Sequence, residues 1–230
     1  MERAAASWGG ALGVDAACVL QDRVVIVPAA RDIGVLTLGR GCVVSAPDAL
    51  HKRLAALPRD VLVDVHALAA SFADLGGRPF RDGGTAALCY LEEAAFVAPA
   101  LSCKVRPALV GDVAAVLAQC SSYDIEEAAV GRDDTVVVAL TSDGAPAALA
   151  TVEFWGSTIG HLGLLTAPVH RGAGYATAAA AEATRDVLAR GLLPQWRAAS
   201  GHAASLAIAR RLGFVQRGRQ SLVLLGGKSR

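Results

Sequence analysis

The chain has 230 residues, with 22 Lys and Arg against 21 Asp and Glu for a formal charge of +1. Only 19% of residues are charged, and no run of lysine and arginine supplies the basic footprint that nucleic-acid binding requires. The apolar fraction of 53% is spread among Ala and Val and never continues for about 18 positions, so no membrane span is expected.

The length exceeds the roughly 100 to 200 residues of a typical domain. Two domains are expected, an α/β domain over 1–103 and a second over 104–230. No long apolar core follows Met1, Glu2 and Arg3, so a secretory signal is not expected and a cytoplasmic address is. The five cysteines, Cys18, Cys42, Cys89, Cys103 and Cys120, are odd in number and scattered, with no CxxC pair. They read as reduced, buried thiols.

Taken in chain order, Val24 to Val27, Gly34 to Leu38 and Cys42 to Ser45 are short β-prone runs, with Gly39-Arg40-Gly41 as a tight hairpin turn between the last two. Pro47 and Asp48 open a helix that runs to Leu57. A strand is expected at Val61 to Val65 and a helix at Leu68 to Leu75. Gly76 to Pro79 and Asp82 to Gly84 punctuate a linker or loop. Glu92 and Glu93 fit the solvated edge of a helix that ends before Pro99. Lys104 to Pro107 is an edge strand before a helix from about Gly111 to Ser121. Val136 to Thr141 and Ala147 to Trp155 flank Ser142-Asp143-Gly144 as a β-hairpin. A second reversal at Gly156 and Ser157 leads into a strand from Thr158 to Thr166. Tyr175 to Arg190 is a long alanine-rich helix closed by Gly191, with Arg185 and Arg190 suited to its negative end.

The junction between that last strand and helix is the most informative segment. Pro168 breaks an apolar run, and Arg171, Gly172, Ala173, Gly174, Tyr175 and Ala176 then lead into the helix. Such a turn leaves several N–H groups unpaired at the positive end of a helix dipole, an arrangement that binds anions. Gly172 and Gly174 allow positive φ and close approach to the main chain, and Arg171 adds a charged donor. A GxxxxGK[ST] phosphate loop needs a lysine after its last glycine, where Tyr175 stands. A GxGxxG dinucleotide fingerprint meets Thr177 at its third position, and Leu192 to Ala199 holds no acid for a ribose.

Arg171-x-x-Gly174-x-Ala176 has the form [QR]-x-x-G-x-[GA] and resembles the acyl-coenzyme A pyrophosphate loop of the GNAT superfamily of N-acyltransferases. Leu193 to Ala199, Ser205 to Phe214 and the closing apolar segment are similar to that family's fifth strand, fourth helix and the Gly-Phe entering its sixth strand. The resemblance covers about Lys104 to Leu225. It implies a mixed, mostly antiparallel, twisted sheet flanked by helices, preceded by a smaller α/β domain that is itself a candidate degenerate copy of the fold. No second phosphate loop occurs in that first domain, which is expected to shape a substrate cleft or a homodimer contact.

The resemblance further implies acetyl-coenzyme A, or another acyl-coenzyme A, as co-substrate and direct attack by a primary amine, expected to be a small molecule. Leu164, Leu165 and Thr166 take the position whose main chain binds the pantetheine arm, and Arg171, Gly172, Ala173, Gly174, Tyr175 and Ala176 that of the diphosphate cradle. Glu153 and His161 are the candidate proton acceptors, with an ammonium anchor as another role for Glu153. An imidazole titrating near neutral pH would suit a base. The family's usual tyrosine acid falls at Ala209, and its usual asparagine at the start of the fourth helix is His202, with Ser205 retained. His202 is read as a coenzyme A contact or a helix cap. No HxxxH pair exists and no metal is implied. Two other readings stay open: a non-catalytic acyl-coenzyme A binding or regulatory module, and an acyltransferase drawing on a carrier protein or aminoacyl-tRNA.

Overall fold

The computed structural model describes residues 1–73, 81–100, 103–128, 130 and 135–224, with Arg81 and Asp82 as backbone only. The first half contains α1 (Glu2–Leu12), α2 (Ala16–Leu20), β1 (Val24–Pro28), β2 (Ile33–Leu38), β3 (Gly41–Ala46), α3 (Asp48–Ala55), α4 (Arg59–Val63), α5 (Val65–Ala70) and β4 (Arg81–Tyr90). The second contains β5 (Lys104–Pro107), α6 (Val110–Leu117), α7 (Ser122–Ala128), β6 (Thr135–Leu140), β7 (Pro146–Trp155), β8 (Ile159–Thr166), α8 (Tyr175–Ala189), β9 (Leu193–Ala199), α9 (Ala203–Arg211) and β10 (Val215–Leu224). The fold is mixed α/β, its strands mostly antiparallel and flanked by helices. No described helix is long and apolar enough to cross a membrane.

Compactness groups the chain into two units, one of Met1–Leu88, Ala198–Gly201 and Gln216–Arg230, the other of Cys89–Arg197 and His202–Val215. This grouping does not coincide with a cut at 103/104. The closing strand explains part of the difference, because Gly218 to Val223 of β10 run antiparallel along Leu38 to Ile33 of β2.

In the first unit the strand order is β1-β3-β2-β10-β4. The β2–β3 hairpin turns through Gly39 at φ 57, as expected. Ile33, Val35, Val44, Leu54, Leu62, Leu68, Phe72 and Val223 form its core. The strand expected at Val61 to Val65 is instead the end of α4 and the start of α5. Pro58 opens α4, and the Asp64 side chain accepts from the N–H groups of His66 and Ala67, capping α5. Leu62, Val65 and Leu68 then bury at three-residue spacing, a helical period that a short apolar run conceals. The helix expected from Leu68 onward starts at Val65 and ends at Ala70, while Leu75 and the Gly76 to Pro79 linker lie outside the described residues.

The turn expected at Asp82 to Gly84 lies within β4. A Cβ at Gly83 would sit 2.9 Å from the Leu222 carbonyl oxygen, so the glycine serves a close backbone approach, not a reversal. The apolar stretch leading to Glu92 is likewise strand, with Ala86 to Leu91 all buried, followed by a single 3-10 turn at Glu93–Ala95. A strand buried on both faces loses its alternation and reads like a buried helix.

The second unit has the strand order β9-β8-β7-β6-β5, parallel between β8 and β9 and antiparallel elsewhere. Its two sheet faces are covered differently. On one, Leu149 and Leu165 pack with Val116 of α6 and Ala128 of α7. On the other lies α8, whose Ala178 to Ala181 and Ala183 are buried. Alanines and Gly160 let that helix approach closely, since a Cβ at Gly160 would lie 2.6 Å from the methyls of Val187. Gly191 follows the helix at φ 68, as expected. Arg185 and Arg190 have partners beyond the helix dipole: Arg185 bonds Glu182 at 2.6 Å and lies over Phe96, and Arg190 bonds Asp186 at 2.9 Å and lies over Phe154. The five cysteines are unbridged, and burial pushes the thiols of Cys42, Cys89, Cys103 and Cys120 up.

Candidate active site

The second unit contains a strand that loses its neighbour. Along β8, pairing with β7 continues to Ala148 opposite Thr166, but pairing with β9 stops at Leu162 opposite Trp196, although β9 runs on to Ala199. The Ala167 N–H bonds the Ala147 carbonyl, so by alternation Leu165 and Gly163 direct their main-chain groups at β7 while Leu164 and Thr166 direct theirs at the side β9 has left. Of the three residues expected to bind through their main chain, Leu164 and Thr166 are so placed. Leu165 is not: its main chain is turned toward β7 and its side chain is in the core.

The gap opens directly onto the glycine turn. Pro168–His170 forms a 3-10 turn, Gly172 and Gly174 follow at φ 79 and 90, and α8 begins at Tyr175. No side chain caps the helix. Its opening N–H groups have no intrahelical acceptor, and residues 171 to 174 are exposed. A Cβ at Gly172 or Gly174 would meet nothing within 4 Å. The turn is an uncapped, accessible donor cluster at a helix N-terminus, and these features fit a diphosphate. Tyr175 is held edge-on against the His170 ring at 5.7 Å.

The Arg171 guanidinium does not stand alone. Its Nη2 lies 3.2 Å from Asp124 Oδ1 in α7, and its Nε donates to the Thr166 carbonyl at 3.4 Å. A hydrogen bond from the Ser121 hydroxyl, joined by Arg171, holds the Asp124 carboxyl below its ordinary range. The Thr166 carbonyl also accepts from Cys120 Sγ at 3.7 Å. Sequence reasoning missed Asp124 and Cys120 because α7 was not expected as a separate helix. The Ser121 and Asp124 pair at its start is a capping signal that could have revealed it.

Glu153 and His161 come together as direct partners across β7 and β8, a hydrogen-bonded position with Cα atoms about 5.5 Å apart. They share a sheet face with Leu149 and Leu165, the face that carries α6 and α7. Gln195 lies beside His161 in register on β9, and the Trp155 ring lies tilted by 30° against the imidazole with centroids 4.9 Å apart. Gln195 is fully buried and donates through Nε2 to the Tyr90 hydroxyl at 2.8 Å. Burial, with Arg197 adding repulsion and Gln195 partly compensating, pushes the His161 imidazolium down to about 4. The near-neutral titration expected of this residue is therefore not found, and His161 is an uncharged ring at pH 7.

The fourth-helix residues divide. Ser205 accepts from Trp196 Nε1 at 2.9 Å, and Trp196 meets Phe214 edge-on at 5.5 Å, locking α9 to the sheet. Gly213 is required there, since at φ 95 a Cβ would fall 2.0 Å from the Ala95 carbonyl oxygen. His202 occupies the N-cap position of α9 without a capping bond and is exposed, so the capping role is not made. Ala209 is buried.

Residues 137–222 match the family model described as GNAT acetyltransferase. No curated protein matches the chain. Among solved structures, a GCN5-related N-acetyltransferase from Sphaerobacter thermophilus superposes with a TM-score of 0.53 at 17% identity over 73% of this chain and 59% of that one. A GNAT-family protein from Novosphingobium aromaticivorans gives 0.52 at 18% identity over 65% and 68%. A tandem GNAT protein from the clavulanic acid biosynthesis pathway gives 0.50 at 17% identity over 70% and 59%. At these identities the likeness is one of fold.

Proposed function

We propose that this GNAT-like chain is an N-acyltransferase that moves an acyl group, acetyl in the simplest case, from acyl-coenzyme A to a primary amine of a small molecule. The observation that carries the reading is the loss of β9 from β8 after Leu162, immediately before an uncapped glycine turn. One feature offers extended-chain hydrogen bonding to an amide-containing arm, the other offers converging N–H groups to a diphosphate, and coenzyme A presents those two chemistries in that order.

The thioester supplies an acyl carbon with a good leaving group, and the chain's residues place the partners. Main-chain groups of Leu164 and Thr166 align the arm, and the amides of residues 172 to 176 hold the phosphates with the helix dipole behind them. Arg171, shared with Asp124, contributes part of its charge. Glu153 attracts the ammonium form of the substrate to the sheet face it shares with His161. The neutral amine attacks the acyl carbon, the N–C bond forms and the C–S bond breaks with its electron pair on sulfur. Bond formation makes the nitrogen strongly acidic, so even the weakly basic His161 ring can take a proton there, although it is too weak to deprotonate the free ammonium. With alanine at 209, the thiolate receives its proton from solvent or from the departing ammonium proton.

Isothermal titration with acetyl-coenzyme A, followed by thiol release against a panel of amines, tests the reading. Binding and amine-dependent release support it, and absence of both removes it. Binding without release for any amine would support instead a non-catalytic acyl-coenzyme A module, which the alanine at 209 and the histidine at 202 favour. Transfer from a carrier protein or aminoacyl-tRNA would show as failure to bind free coenzyme A.

A further inference from the structure

The row Glu153, His161, Gln195 across β7, β8 and β9 ends in two unmatched polar atoms. His161 Nδ1 and Gln195 Oε1 are both buried and neither has a hydrogen-bond partner. They belong to residues directly opposite each other in the parallel ladder, whose side chains leave the sheet on the same face. Leaving a buried polar atom unsatisfied is costly, and a protonated Nδ1 beside an amide oxygen satisfies both at once. In the orientation observed, the Gln195 nitrogen donates to the Tyr90 hydroxyl at 2.8 Å, which leaves the oxygen as the end of the amide that has no partner.

We propose that Gln195, anchored by Tyr90, is a positioning residue that accepts the Nδ1 proton of His161 and fixes the tautomer in which Nε2 carries the lone pair. The inference rests on the acyltransferase reading for its purpose and on the buried row alone for its existence. Nδ1 is the sealed end of the ring, whereas His161 as a residue keeps partial exposure. The Trp155 ring lies tilted against the imidazole with centroids 4.9 Å apart and restricts how that ring can turn. A lone pair held this way can accept an N–H from an incoming amine. Of the charged groups, Arg197 acts on the ring and works against protonation, and Glu153 is its register partner on β7. The opposite orientation of the amide, oxygen toward Tyr90 and nitrogen toward His161, would demand the Nε2–H tautomer and point a donor at the substrate instead.

The test is long-range proton–nitrogen correlation on the full chain with labelled histidine, with the His161 signals assigned by their loss in His161→Gln. The expected wild-type pattern is a protonated Nδ1 and an unprotonated Nε2 at pH 7. Gln195→Glu, which is isosteric and keeps an acceptor oxygen toward the ring, retains that tautomer and raises the His161 titration by at least about one pH unit. Gln195→Leu loses the preference, and Tyr90→Phe weakens it. An Nε2–H wild type, or a Gln195→Glu variant whose histidine titrates where the parent does, overturns the proposal. These readouts need neither cofactor nor turnover, so a protein that fails to bind coenzyme A but shows the Nδ1–H tautomer refutes the acyltransferase reading and leaves the Gln195 assignment standing. Conversely, turnover with an Nε2–H histidine refutes the assignment alone. For an active enzyme, Gln195→Glu also moves the acidic limb of kcat/KM upward with the titration, a shift that a merely structural role for Gln195 would not produce.

Discussion

Replacement of Gly174 by alanine separates the fold's demand on the turn from the ligand's. At φ 90 the backbone sits where L-residues are strained, a cost of about 1–2 kcal/mol. The stiffer unfolded chain returns roughly 0.4–1 kcal/mol. Nothing within 4 Å meets the added methyl, so no overpacking penalty is added. The net loss is about 1 kcal/mol, which for a chain of this size lowers Tm by about 2–4 °C and leaves the protein folded at 25 °C. Binding should suffer far more. The methyl projects into space the chain leaves open, beside amides proposed to make charge-assisted bonds of about 1.5–3 kcal/mol each. Loss of two such bonds weakens coenzyme A by at least about 100-fold. Calorimetric titration of Gly174→Ala beside the parent, with thermal melts of both, gives the two numbers. A variant that melts a few degrees lower yet binds coenzyme A with unchanged Kd would refute the placement of the diphosphate.

Asp124→Asn removes the carboxylate that engages Arg171 across an exposed pair. Its effect on Tm should be small and it should tighten coenzyme A binding a few-fold in the same titration; weaker binding would mean the pair, not the arginine alone, forms the site. Gly160→Ala should destabilise by about 1–3 kcal/mol through overpacking against Val187, and Val187→Ala in the same chain should restore part of that loss in denaturant melts. The Asp112 carboxyl is held below its ordinary range first by the bonds from Arg106 at 2.6 and 3.0 Å and also by the Leu109 N–H. That contribution is present above the unfolded carboxylate value of about 3.9 and is lost as pH falls through the lower folded value, so Asp112→Asn should flatten the acid side of a Tm-against-pH curve. His161 gives a slope of the same sign in a different window. Between its unfolded value near 6.5 and its folded value of about 4, the unfolded chain holds the extra proton, so stability falls as pH drops through that range and His161→Asn should abolish the dependence.

The second half of the fold was legible because its punctuation is local. Gly144, Gly156, Gly174 and Gly191 all take positive φ where a turn or helix end was expected, and the runs between them are long enough to show a period. The first half hid its helices. At Val61 to Val65 a short apolar run gave no period, and what decided it was a cap from Asp64. At Ala86 to Leu91 burial on both faces erased the alternation. Of the candidate site, the glycine turn and the Glu153 and His161 positions could be read directly, since a motif and a strand register set them. Gln195, Tyr90 and Asp124 could not, because each acts through a partner 34 to 105 positions away or on another element. Nor could the environment of His161: near-neutral titration is a property of an exposed imidazole, and depth beneath Trp155 is set by tertiary packing.

The most direct test of the account is a structure of the chain with acetyl-coenzyme A. The account predicts diphosphate oxygens within about 2.7–3.2 Å of main-chain amides between residues 172 and 176, and the pantetheine arm beside Leu164 and Thr166 where β9 leaves β8. A cofactor bound elsewhere, or a titration showing none bound at all, would contradict it.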